Sequence, residues 1–361
     1  MTENITMGLA ETMTIGCDLG DQYSYVCVLD TEGQIVEETR VKTTQKDFKK
    51  YFGAQAAARV VIEVCGLSRW VDAFLRGLGH DVVVANPRKV RLISQSNCKN
   101  DRKDAQTLAR LGRVDPLLLS PIKHRGAAAQ RVLCSMRARD GLVRSRTQLV
   151  NSARGMLKAW GTRLPSCSSS AFAKTVKDLV PTELKAAIDP LLDVVATLTA
   201  TIGHYDKQLA EMAKIEFKDA QLLMQVTGVG PLTALAFIAT VEDPNRFKRS
   251  RDVGAYFGLV PRQDQSGKTD KQLGITKAGN PFVRKLLVQC SHYILGHFGP
   301  DTDLRRWGLS LAERGGKNAK KRAVVAVARR LSVLLHRLWV TGEIYEPLGY
   351  GRPVSEVSEA A

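Results

Sequence analysis

With 361 residues, 53 Lys+Arg against 36 Asp+Glu and a formal net charge of +17, the chain is long enough for two or three domains with cores of their own. It is also basic enough to make a polyanion its natural partner. No apolar run approaches the length of a membrane span, and Met1 to Met13 (MTENITMGLAETM) lacks a basic start followed by an apolar core, so the expected setting is cytoplasmic. Seven cysteines with no CxxC spacing, several in apolar strand-like runs (Cys17, Cys27, Cys65), read as reduced packing residues rather than disulfides or zinc ligands. His292 and His297, five apart, do not share a helical face that could present both to a metal.

From Thr14 the pattern predicts three strands, TIGCDLG, YSYVCVLD and, after the turn TEGQ, IVEETRV, as an antiparallel meander. An amphipathic stretch KDFKKYFGAQAA follows, then a strand RVVIEV, a helix WVDAFLRGLG and a short strand DVVVANP. Alternating β and α after a meander describes a mixed sheet flanked by helices, as in ribonuclease H-like nucleases. Asp18 ends the first apolar strand and Glu63 the fourth, and the fold analogy puts them on adjacent central strands. An acid in a core-facing strand costs several kcal/mol to bury unless it is paired or bound to a cation. Asp101 and Asp104, in NDRKDA, share one face of a helix that runs on through AQTLARLGRV. Alone, that pair could equally be an N-cap and a solvated first-turn acid. Together the four carboxylates suggest oxygen ligands for Mg2+ (or Mn2+) in a metal-dependent nuclease.

Between Lys123 and Arg163 the chain predicts a long Arg-rich helix, read either as a phosphate-contacting surface or as a solvated charged face. A second helix follows LPSCSSSAFA, with Asp189 as its cap and Pro190 opening it. There Leu191, Val195, Leu198, Ile202, Tyr205, Leu209 and Met212 form a heptad seam, which suits either an intramolecular hairpin or dimerisation.

LLMQVTGVGPLTALAFIATV then reads as two apolar helices joined at Gly228-Val229-Gly230, similar to a helix-hairpin-helix whose turn offers N–H groups to phosphate; an unliganded structural hairpin is the plainer account. From Arg246 to Arg337 there are 20 basic and 6 acidic residues, so most of the net charge lies here. Within it stands YFGLVPRQDQSGKTDKQLGITKAGNPFVRKLLVQC. An isolated Ser-Gly in such a polar segment is ordinarily a turn, and Gly279-Asn280 reads as the end of one.

These motifs, taken jointly and across nearly the whole chain, resemble the DEDD-type (RuvC-like) transposases of bacterial insertion sequences, a family of serine-assisted recombinases guided by a structured (bridge) RNA. The resemblance implies a ribonuclease H-like (RuvC-like) α/β catalytic domain over 10–122, a helical coiled-coil linker or dimerisation region over 123–215, a mainly α-helical transposase domain with a helix-hairpin-helix-like element over 216–346, and a disordered tail over 347–361. It implies that Asp18, Glu63, Asp101 and Asp104 bind divalent metal, and that Ser266 attacks the DNA phosphodiester and holds it as a covalent phosphoserine. No histidine base is near Ser266 in sequence; a metal ion held by carboxylates could activate a hydroxyl without one. Expected nucleic-acid contacts are Arg102, Lys103, Gly228, Gly230, Arg262, Lys268, Lys271, Lys277 and Arg284. The expected partners are DNA, as element ends and target, a guide RNA and further copies of the chain as a dimer or tetramer. Few aromatic residues (6%) fit a protein that delegates sequence reading to base pairing. The alternative is a Holliday-junction resolvase-like nuclease that hydrolyses DNA with the carboxylates alone.

Overall fold

Strand formation in the N-terminal region follows from its β-branched runs. In the computed structural model, which describes residues 13–86, 100–266 and 269–349 apart from the side chains of residues 264, 266 and 269–272, these runs become β1 (Thr14–Asp18), β2 (Tyr23–Leu29), β3 (Ile35–Lys42), β4 (Arg59–Glu63) and β5 (Asp81–Ala85). The sheet order is β3-β2-β1-β4-β5. β1–β2 and β2–β3 pair antiparallel, whereas β1–β4 and β4–β5 are parallel. The meander is therefore as expected, and β1 and β4 are neighbours at the centre of the sheet. β3 is the polar edge, its Glu37, Glu38, Arg40 and Lys42 discouraging further strand addition.

Helices α1 (Gln45–Phe52) and α2 (Ser68–Gly77) seal one core with Phe48, Phe52, Val71 and Leu75, all fully buried against β-sheet valines and isoleucines. α3 (Asp101–Val114) lies against β1, β2 and β4. Its close approach depends on small residues. A Cβ on Gly16 of β1 would stand 2.0 Å from the Ala105 carbonyl oxygen, and one on Gly112 would stand 2.2 Å from a Val61 methyl. Gly16→Ala is accordingly expected to cost about 1–3 kcal/mol of overpacking, read as a lower thermal midpoint by circular dichroism. An unchanged midpoint would mean that α3 does not pack at this distance.

The chain divides into two compact units, residues 1–124 and 125–361. The second begins with two long helices, α4 (Ala127–Ala159) and α6 (Lys185–Ile215), with short α5 (Phe172–Val176) between them. Arg139 makes a bidentate pair with Asp206 (2.5 and 3.1 Å), Arg131 pairs with Glu216, and the Arg146 guanidinium donates to Thr199 Oγ1 (3.2 Å), which sets the helices antiparallel. Val195, Ile202 and Leu209 of the heptad seam are buried within this hairpin. Of the two uses open to the seam, the intramolecular one is present, and part of the Arg-rich face serves the partner helix. Two expectations need correction. α6 starts at Lys185, so Pro190 lies inside the helix rather than opening it. Proline there gives up a hydrogen bond to the preceding turn, a cost of ~3 kcal/mol, set against burial of Ile188 and Leu192 on either side of it. The stretch Thr182–Ile215 is also, among the described residues, one helix long and apolar enough to cross a membrane by length and composition, where the sequence reading expected none.

Beyond α7 (Asp219–Leu223), α8 (Pro231–Val241) is buried on all sides from Thr233 to Val241 and forms the centre of the second core. α9 (Asp252–Tyr256), the hairpin β6 (Pro261–Ser266) and β7 (Thr269–Ile275), α10 (Pro281–Leu295), α11 (Asp303–Glu313) and α12 (Ala319–Thr341) complete it. The motifs of this region form largely a structural clamp. Asn280 caps α10, its Oδ1 accepting from Phe282 N and Val283 N, and its Nδ2 donates to Thr240 Oγ1 at 3.2 Å. Gly279 sits at φ +70°, where a Cβ would meet the Tyr256 carbonyl oxygen at 2.0 Å. Thr276 N and Lys277 N donate to Val260 O and Gly258 O, anchoring the base of the β6–β7 hairpin.

Candidate active site

Asp18 and Glu63 stand at the carboxyl ends of two parallel neighbours, in a register where Cys17 pairs with Ile62. After β1 the chain turns to β2 on one side of the sheet; after β4 it proceeds through α2 to β5 on the other. The ends of strands at such a divergence are the usual place for a ligand in an α/β sheet. The first turn of α3 adds Asp101 and Asp104. Asn100 is the N-cap, its Oδ1 accepting from Arg102 N at 3.1 Å, so Asp101 does not serve as the cap. Both acids gain from the positive end of the helix dipole.

Three of these carboxylates act on the fourth. Partial burial first, then the charges of Asp101, Asp104 and Glu63, push the Asp18 carboxyl up to about 6. A carboxylate raised by three like-charged neighbours is the electrostatic signature of a place short of positive charge. In kind, an all-oxygen anionic donor set fits a hard divalent cation such as Mg2+ or Mn2+. Among the described residues no three Asp, Glu, His or Cys side chains are gathered closely enough to enclose an ion, so the acids share a field without forming a closed shell.

Around this cluster, Glu38 is held well below the usual carboxylate range by hydrogen bonds from Arg102 and Gln106. Arg102, expected to meet nucleic acid, is thus tied to β3, while Lys103 is exposed on α3. Cys17, beside Asp18, is driven far up by burial and is unreactive. Cys65, expected within a strand, is exposed in the turn after β4.

In the second unit Ser266 closes β6 opposite Thr269, at the tip of the hairpin. Its side chain, that of Lys271 and the whole of Lys268 lie outside the described residues. Arg262 is exposed on β6. Lys277 is exposed too, with a backbone φ of +55°. The Arg284 Nη1 donates to the Phe257 and Ala278 carbonyls (2.9 and 2.7 Å), a further tie in the clamp beneath the hairpin. Gly228 adopts φ +94° and packs against Tyr293 and Ile294, and Gly230 is the N-cap of α8. The N–H of Val229 between them is used by Val226 O. The helix before this turn spans only Asp219–Leu223, shorter than the apolar run suggests.

The arrangement defines a class: a mixed α/β domain with acids converging at its strand ends, joined to a largely helical, strongly basic domain. A family model described as "Transposase", of the DEDD IS110 type, matches residues 15–161, and that of the "Transposase IS116/IS110/IS902 family" matches 220–304. The chain is 32% identical to the transposase for insertion sequence element IS1111A of Coxiella burnetii, over 92% of this chain and 90% of that protein. It is 30% identical to a probable family 20 transposase of Pseudomonas aeruginosa, over 92% and 98% of the two chains. With the transposase for insertion sequence element IS1328 of Yersinia enterocolitica it shares 28% identity over 77% of this chain and 82% of the relative. The chain belongs to the IS110/IS116/IS902 family of insertion-sequence transposases, enzymes that cut and join DNA.

Proposed function

We propose that this transposase cuts and rejoins element ends and target DNA by a covalent route, with Ser266 as nucleophile, Asp18, Glu63, Asp101 and Asp104 as the holders of a divalent cation, and a structured RNA encoded by the element as its guide. One observation carries the metal half: Asp18, at the end of one of two parallel strands, is a carboxyl raised by burial and by the charges of Asp101, Asp104 and Glu63. Such a cluster is stable in its ionised form when a cation offsets the repulsion. A bound Mg2+ would supply Lewis-acid stabilisation of the charge that develops on the phosphate. The serine half rests on the hairpin clamp, which fixes the strand that ends at Ser266 through Gly258, Gly279, Asn280 and Arg284. In the step itself, a P–O bond to the serine oxygen forms as the bond to one DNA strand breaks, and the departing strand end takes up the hydroxyl proton. Reversal with a different strand end rejoins DNA without an external energy source. The acid cluster in the ribonuclease H-like (RuvC-like) sheet and the α7–α8 turn, read as a helix-hairpin-helix-like element, then have complementary tasks: ion holding and backbone contact.

Strand cleavage of labelled element-end DNA should vanish in EDTA and return with Mg2+ or Mn2+; undiminished cleavage in EDTA contradicts the role given to the acids. Binding tests the rest. Twenty basic residues between Arg246 and Arg337 against 6 acidic should give an affinity that falls by about a thousandfold between 50 and 200 mM salt if about six phosphates are contacted. The element's own noncoding transcript should bind more tightly than unrelated RNA of equal length. Equal binding of the two removes the guide from the account.

A further inference from the structure

The base of the β6–β7 hairpin makes a groove with α11 and α12 that the proposed chemistry leaves unused. It has a volume of about 920 Å3, ample for a nucleotide. Leu259, Leu273 and Ile275 line it from the hairpin side, and Val325, Ala326 and Trp307 from the helices. Trp307 is half-buried, with the Arg330 guanidinium 4.7 Å from its ring centroid, and Leu273 is 44% exposed. The groove's charged positions among the described residues, Arg251, Lys321, Arg322, Arg329 and Arg330, are all basic, and no described Asp or Glu side chain lines it. An apolar floor with an aromatic ring, ringed by exposed cations, matches an unpaired nucleotide: a flat base for the floor and phosphates for the rim.

We propose that this groove receives one unstacked base of the DNA strand being cut, with Lys321, Arg322 and Arg329 on the flanking phosphates. The inference rests on the assignment of Ser266, because that places the reacting phosphate at the hairpin tip. Leu273 is four residues along β7 from Thr269, the partner of Ser266, or about 13 Å of strand. At 3.4 Å per phosphate along one strand, the lodged base falls within about four nucleotides of the cleaved bond. Stacking on the aromatic floor offsets the unstacking that extrusion requires.

The test is photocrosslinking with the full-length protein and single-stranded element-end oligonucleotides that carry one 5-iodouracil within four nucleotides of the cleaved phosphate. The adduct should map by mass spectrometry to tryptic peptide 307–314, which holds Trp307. Ala326→Trp, which fills the groove, should reduce it at least tenfold. Because that variant could disturb packing, the exposed pair Lys321→Glu and Arg322→Glu provides a second check: it should weaken the same adduct about tenfold with an unchanged thermal midpoint. Adducts spread over the basic surface with none on peptide 307–314 overturn the proposal. So does an adduct on that peptide that Ala326→Trp leaves undiminished while the protein stays folded. An adduct that appears only after residues 350–361 are removed, or only on dilution to monomer, assigns the groove to the chain's own end or to a second copy and likewise overturns it. Covalent DNA capture by Ser266, scored separately, tells whether the serine assignment survives either result.

Discussion

Asp18→Asn is expected to abolish strand cleavage, by at least about a thousandfold or ~4 kcal/mol of barrier, while making the metal-free protein more resistant to heat. Both effects have one source. Asp18 is the carboxyl raised by burial and by Asp101, Asp104 and Glu63, and the neutral amide removes that repulsion together with an anionic ligand. The sign with pH follows from the direction of the shift. With the folded-state value at about 6 and the ordinary value at 3.8, keeping Asp18 charged costs the folded state stability as pH rises through that window, and the full cost is present above it. The gain from Asn is therefore absent below about pH 4, grows towards pH 6 and is complete at neutral pH. Thermal melts in EDTA across pH 4–8 check this, and Mg2+ should stabilise the wild type more than the variant. A variant that melts below the wild type at pH 7.5 in EDTA would show that Asp18 is paired rather than repelled.

Ser266→Ala should remove both cleavage and covalent capture of DNA, a loss of at least about ten-thousandfold, the scale on which deletion of a covalent nucleophile acts. RNA and DNA affinity should be retained, since the change deletes a single oxygen from a strand end that is anchored by backbone and side-chain contacts at the other end of the hairpin. The outcome also separates two chemistries. An enzyme that hydrolyses DNA with the carboxylates alone, as a Holliday-junction resolvase would, keeps cutting at its normal rate without Ser266 and never forms an adduct.

The N-terminal sheet was legible because its signals are local. TIGCD, YSYVCVL and RVVIE carry strand propensity, and an acid at the end of an apolar strand is conspicuous in a sequence. That Asn100 rather than Asp101 caps the helix was not legible, because both residue types suit the position and the choice depends on where the helix begins. The start of α6 was misjudged for a different reason. Asp189-Pro190 carries a strong local signal for a helix start, yet Ile188 and Leu192 are buried in the core shared with α4 and α5, and that tertiary burial carries the helix back to Lys185. The arginines of α4 looked free for phosphate because Asp206 and Glu216 are more than sixty residues away. The β6–β7 hairpin was not foreseen. PRQDQS and TDKQLGI are too polar to show an apolar alternation, and the one available signal was the two-residue span containing Gly267 between Ser266 and Thr269. The duties of Arg284 and Asn280 were equally hidden, since their partners include main-chain groups and a threonine hydroxyl that no residue pattern announces.

The most direct measurement is the fate of the DNA phosphate. Wild-type protein incubated with labelled element ends, guide RNA and Mg2+ is resolved by denaturing electrophoresis, and the protein-sized labelled band is digested and sequenced by mass spectrometry. The account predicts a protease-sensitive band whose nucleotide adduct lies on Ser266, absent in EDTA, in Asp18→Asn and in Ser266→Ala. Cleaved DNA released with free ends, with no adduct in the wild type and a normal cutting rate in Ser266→Ala, would contradict it.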